Sequence, residues 1–204
     1  MVTVMIERIL MDDDITPSSE VVTRSKKKRK IGFLDTIIFG LAAGIILNLF
    51  FVDSYVVPSS SMTNTLQVKD YMVSVPALDN RQAPDRGTVV VFNPPASWGE
   101  PAGTVFVKRV IAVGGDTISC CSDDGKLLLN GEELNEDYIK DGVNDVNKEF
   151  TYTVPEGQVF VLGDNRLNSA DSRYHPNDPF VPVESILGQP KFVMWPLNRI
   201  HAIN

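Results

Sequence analysis

Histidine and cysteine are scarce, with two of each among 204 residues. The cysteines are adjacent, Cys120-Cys121, and the histidines are His175 and His201. A structural zinc site needs four ligands at metal-binding spacing, which one pair of neighbouring cysteines does not supply. A phosphate-cradling loop is lacking too: Gly114-Gly115-Asp116 has neither the lysine nor the helix that should follow. No metal or cofactor is implied. Internal repeats, heptads and low-complexity tracts are missing outside one basic block, and residues 53–204 show no sustained helical periodicity. With 43% hydrophobic and 22% charged residues, the composition excludes a disordered polymer and a collagen-like repeat.

Charge is what residues 31–52 lack. This run holds only Asp35 in 22 positions, and as a helix it would reach about 33 Å, enough for a bilayer core of about 30 Å. Lys26-Lys27-Lys28-Arg29-Lys30 precedes it, whereas Asp53 flanks its other end. Such an asymmetry keeps the basic end in the cytoplasm. A cleaved secretory leader would be shorter, would start nearer the N-terminus and would be followed by an A-x-A site, so the run reads as an uncleaved anchor. Three regions follow: a basic cytoplasmic tail over 1–30 without stable structure, a single-pass anchor over 31–52, and an extracytoplasmic domain over 53–204. That domain carries 12 basic against 20 acidic residues, which repels a nucleic-acid backbone. The expected location is the cell membrane, with the lipid bilayer as one partner and nucleic acid excluded.

Within 53–204, β-branched runs alternate with turn signals. Strands are predicted near Tyr55–Val57 and over Tyr71–Val75, Thr88–Phe92, Val105–Val113, Lys126–Leu129, Thr151–Val154, Val159–Leu162 and Lys191–Trp195. Asn130-Gly131 signals a tight hairpin. The predicted fold class is mostly β, a single transmembrane helix followed by an all-β sandwich or partly open barrel. Cys120-Cys121 is open to two readings: a vicinal disulfide, or two small residues ending a strand.

Four segments hold the candidate chemistry: Pro58–Leu66, Gly87–Phe92, Val107–Asp116 and Gly163–Arg173. Alternation places Phe106, Lys108 and Val110 on one face of a strand and Val107, Arg109 and Ile111 on the other. Neither face is plainly wet. Burial lowers a lysine's pKa and leaves a neutral amine that can act as general base, which arginine cannot do. From the strand alone, a lysine snorkelling to the sheet edge is the favoured reading. Ser59-Ser60-Ser61 alone is a serine-rich turn.

Taken together and in this order, the segments resemble the bacterial type I signal peptidases, membrane-anchored Ser-Lys endopeptidases. The family's Pro-Ser-x-Ser-Met-x-Pro-Thr-Leu motif matches 58–66, with Asn64 where proline is usual. Its lysine motif matches 107–116, with Ala112 and Gly114 as variants. Its Gly-Asp-Asn-Arg-x-Asn-Ser-x-Asp-Ser-Arg motif matches 163–173, with Leu167 where aspartate is often found. The resemblance covers about residues 31–200 and includes the Trp195–Ile200 ending.

It implies an enzyme, a serine endopeptidase that removes signal peptides from exported preproteins by cutting after small residues. Ser61 would be the nucleophile and Lys108 the general base. The Ser61 backbone N–H and the Ser59 hydroxyl would form the oxyanion hole, and Ser169 would hydrogen-bond the Lys108 amine and orient it. Asp164, Asp171 and Arg173 would form a structural ion-pair network, while Arg166 and Asn168 receive no catalytic step. Asn64 is expected to loosen the turn after the nucleophile, since proline's fixed φ is absent. Met62 and Leu66 suit either a lipid contact or the core. Two alternatives stand: a Ser-His-Asp hydrolase using His175 or His201, both read as surface residues, and a non-catalytic peptide-binding or scaffold domain of the export machinery.

Overall fold

A computed structural model describes residues 32–77, 82–139 and 149–203 and, over 46–51, the backbone only. The predicted tail over 1–30 lies outside these residues. The chain divides into two compact units, 1–39 and 40–204. Helix α1 spans Phe33–Phe51 inside the apolar run, and Asp35 accepts a hydrogen bond from the Gly32 N–H at its first turn. Among the described residues no helix is long and apolar enough to cross a membrane.

The rest is mostly β, as predicted. The strands are β1 (Asp53–Val56), β2 (Tyr71–Pro76), β3 (Val89–Phe92), β4 (Phe106–Val113), β5 (Thr117–Cys120), β6 (Leu127–Leu129), β7 (Glu132–Glu133), β8 (Phe150–Thr153), β9 (Gln158–Leu162), β10 (Val181–Pro182), β11 (Ile186–Trp195) and β12 (His201–Ala202). A larger antiparallel sheet has the order β1-β2-β11-β3-β4-β9-β10, with β12 added beside β11. Its edge strands β1 and β10 do not pair with each other, so the barrel is partly open. A smaller sheet runs β7-β6-β5-β8.

Alternation explains why β3 is apolar throughout. Val90 and Phe92 join one buried cluster with Trp98, Val110 and Val161, whereas Val89 and Val91 join another with Met62, Leu66 and Met72. Met62 and Leu66 are therefore core residues. A third cluster ties the two sheets together: Ile111, Phe160 and Leu162 from β4 and β9 pack with Ile118 and Leu127 from β5 and β6.

Asn130 and Gly131 take φ of 53° and 87°, the mirror-image turn their sequence predicts between β6 and β7. β11 begins five residues before its predicted start. Its register with β2 shifts between Pro190 and Phe192, the kind of irregularity where a residue without an N–H is tolerated. Earlier in β11, a Cβ at Gly188 would lie 2.6 Å from the Val75 carbonyl oxygen, so this crossing requires glycine. Cys120 and Cys121 are joined in a vicinal disulfide at the end of β5, which decides between the two readings above.

Candidate active site

Ser61 sits in a tight turn after β1. The Thr63 N–H donates to the Ser60 carbonyl and the Leu66 N–H to the Met62 carbonyl, while buried Met62 and Leu66 anchor the turn in the core. Lys108 projects from β4 and is 4% exposed. Its Nζ donates to Ser61 Oγ at 2.8 Å and to the Val107 carbonyl at 3.2 Å. The Phe106 ring lies 5.1 Å from Nζ, so the wall beside the amine is apolar. Burial pushes the Lys108 amine down to about 8; Asp171 and Asp164 pull it back up, and Arg173 lowers it further. Ser59 Oγ lies 3.3 Å from Ser61 Oγ. All three side chains line one cleft of about 310 Å³.

The segment 163–173 closes over this turn. The Asn165 N–H donates to the Ser61 carbonyl at 3.0 Å, and Asn165 Nδ2 to the Ser60 carbonyl at 3.0 Å. Asn168 Nδ2 donates to Ser60 Oγ at 2.8 Å. A side chain at Gly163 would collide with Ser169 Oγ and with the Ser61 carbonyl, so glycine allows the two segments to touch.

Ser169 corrects one expectation. Its Oγ is buried but has no hydrogen-bond partner among the described residues, and the bond to Lys108 is not formed. The amine instead turns to Ser61 and the Val107 carbonyl, while Ser169 packs against Gly163.

The ion pairs are more extensive than the predicted three-residue network. Asp171 accepts from Arg173 Nε and Nη2 at 2.9 and 2.8 Å and from the Gly163 N–H at 3.1 Å. Asp164 pairs instead with Arg109, next to Lys108, through bonds of 2.9 and 2.8 Å. Thr65 Oγ1 also donates to Asp164, so this carboxylate joins the serine turn, β4 and the closing segment. Replacing Asp164 with Asn would leave the Arg109 guanidinium buried without its charge partner. We expect a loss of about 3–5 kcal/mol in urea unfolding, whereas a surface pair would cost under about 1 kcal/mol.

Among the described residues the histidine contacts are to a ring and to backbone carbonyls, not to the Ser59–Ser61 hydroxyls. His175 stacks on the Trp98 ring at a centroid distance of 4.2 Å, and burial lowers its pKa. His201 faces the Arg199 and Thr65 carbonyls at 2.6 and 3.2 Å. Both are half-buried rather than surface residues, because each has an aromatic or backbone partner that the sequence did not reveal. Among the described residues no cluster of three His, Cys, Asp or Glu is placed to hold a metal ion.

Residues 30–195 match the family model described as signal peptidase, peptidase S26. The chain belongs to the S26 signal peptidase family. A probable signal peptidase I of Mycobacterium leprae is 32% identical, the match covering 79% of this chain and 76% of the relative. Probable signal peptidase I-2 of Synechocystis is 34% identical over 81% of this chain and 73% of the relative. Signal peptidase I P of Bacillus subtilis subsp. natto is 32% identical over 88% of this chain and 97% of its own length.

Relative to this signal peptidase motif set, sequence reasoning gave no role to four residues that the fold places against it. Arg109 was only a motif letter, although two cations in succession on an apolar strand already call for a buried carboxylate. Asn165 and Asn168 bind the serine turn. Glu136, outside every motif, pairs with Arg166. Of the two departures, Leu167 is 62% exposed and leaves the buried pairs intact. Asn64 does not loosen its turn: it takes φ 111°, which proline cannot adopt, and its side-chain amide donates to the Tyr138 carbonyl at 2.9 Å.

Proposed function

We propose that the protein is a membrane-anchored serine endopeptidase that removes signal peptides from exported preproteins, using Ser61 as nucleophile and Lys108 as general base. The observation that carries this reading is the 2.8 Å contact between Ser61 Oγ and a Lys108 amine whose pKa burial has brought down to about 8. A serine hydroxyl attacks a peptide carbonyl well only when an adjacent base removes its proton.

The neutral amine takes the Ser61 proton as Oγ bonds to the carbonyl carbon, and the carbonyl electrons move onto oxygen. The Ser61 N–H and the Ser59 hydroxyl are the donors for that oxyanion. Collapse expels the new N-terminus, which receives its proton from the Lys108 ammonium, and leaves an ester on Ser61. Water, deprotonated by the same amine, hydrolyses the ester.

Substrate geometry follows from the sheet. β9 begins to pair with β4 only at Arg109, so Phe106 and Val107 have no partner on that side among the described strands. An extended peptide can add there by main-chain hydrogen bonds, with shallow apolar walls favouring alanine-sized side chains. The anchor and the cytoplasmic N-terminus are supported by the run 31–52 and the basic block before it.

The test uses the purified full chain in detergent with a preprotein carrying an Ala-x-Ala site. A single cut directly after the site is expected. Changing the last alanine to leucine should slow it at least ~100-fold, as expected when a side chain no longer fits its pocket. No cleavage, or cleavage indifferent to that change, contradicts the proposal.

A further inference from the structure

We propose that the loop Glu136–Ile139, carried by the small sheet, is a positioning element for the Ser61–Lys108 pair, an inference that rests on the dyad proposed above. Thirty residues separate Glu136 from Arg166, yet the two form a buried bidentate pair with N–O distances of 3.0 and 2.6 Å. Their side chains are 4% and 0% exposed. Arg166 Nε in turn donates to the Gly163 carbonyl at 3.0 Å, beside the point where the closing segment meets Ser61.

Two residues on, the same loop holds the other half of the site. The Tyr138 carbonyl accepts from Asn64, three residues after the nucleophile. Its ring lies 4.1 Å from the Arg109 guanidinium, next in sequence to Lys108. The Tyr138 hydroxyl donates to Glu136 Oε1 at 2.9 Å, so both anchors share one rigid unit.

One short loop therefore touches the serine turn, the lysine strand and the closing segment. None of its residues lines the cleft. Its contribution is to fix where Oγ and Nζ meet and to keep that meeting dry, not to bind substrate. A slackened loop admits water to the amine, whose low pKa comes first from burial, with Asp171, Asp164 and Arg173 as its charged neighbours.

Glu136→Gln retains the shape and removes the charge. Asn64→Gly accepts the positive φ and removes only the tie to Tyr138. In the full chain in detergent, Glu136→Gln is expected to lower kcat by about 10–100-fold while KM stays within about twofold. The acid limb of the kcat–pH profile should move upward from about 8. Asn64→Gly should show the same pattern at roughly 3–10-fold, since it removes one tie rather than a charge pair. It decides the matter if Glu136→Gln does not give a cooperative melt.

A folded Glu136→Gln enzyme with wild-type kcat and pH limb overturns the inference. So does activity lost only in proportion to unfolded protein, with the limb unmoved. Unchanged processing by Ser61→Ala refutes the dyad itself, and the inference with it. Cleavage lost in Ser61→Ala but untouched in both loop variants refutes only the loop's role.

Discussion

Lys108→Met is expected to abolish preprotein cleavage and, at neutral pH, to make the folded protein more stable. With a midpoint of about 8, roughly a tenth of the amine is neutral at pH 7, against about 0.03% for an ordinary lysine. Removing that base should cost roughly 10⁴–10⁶-fold in rate, as for other paired nucleophile–base systems. The stability gain has the opposite origin. At neutral pH about nine-tenths of the folded amine is still an ammonium, and burying that charge, which is solvated in the unfolded chain, disfavours the folded state. The shift from 10.5 to about 8 corresponds to about 3 kcal/mol. Methionine has similar length and no charge to desolvate, and should recover much of this. As pH rises from about 8 toward 10.5 the folded amine is neutral while the unfolded lysine still holds its proton, so wild-type stability climbs and the gap to the variant closes. Denaturant melts at neutral and alkaline pH check both halves. A variant that is less stable at neutral pH, or still cleaves, contradicts them.

The second large effect separates three adjacent serines. Ser61→Ala should lower cleavage by roughly 10⁶-fold, leaving only what substrate binding and the oxyanion donors supply. Ser59→Ala should lose about 10²–10³-fold, the usual cost of one such donor. Ser60→Ala should change little by comparison, because its hydroxyl is engaged by Asn168 rather than by the amine. Steady-state kinetics on one preprotein ranks the three. Near-equal losses would mean that the turn as a whole, and not one oxygen, is what matters.

These expectations draw on features of unequal legibility in the sequence. Short-range patterns were readable: the alternation of β3 and β4, the Asn130-Gly131 hairpin, and the order of serine, lysine and closing segments. Each depends on neighbours within a few residues. β5 was missed because Thr117–Cys120 is short and begins straight after the Gly114-Gly115 turn. β11 was predicted short because Gly188 and Pro190 read as breaks, although a tight crossing and a register shift accommodate them.

Partners distant in the chain were not readable. Arg109 finds Asp164 across 55 residues and Arg166 finds Glu136 across 30, and nothing local marks either carboxylate as buried. Asn64 looked like a lost proline because its partner is a backbone carbonyl 74 residues away. Ser169 shows the converse: a role carried over from a resemblance placed its hydroxyl on Lys108, while packing against Gly163 leaves that oxygen without a bond.

The most direct measurement is the ionisation of the Lys108 amine itself, followed by NMR of a labelled side chain in the full protein held in detergent. Its midpoint should fall near pH 8 and coincide with the acid limb of cleavage, both disappearing in Lys108→Met. An amine that remains an ammonium ion beyond pH 10 while preproteins are still cut at pH 7 would contradict the account.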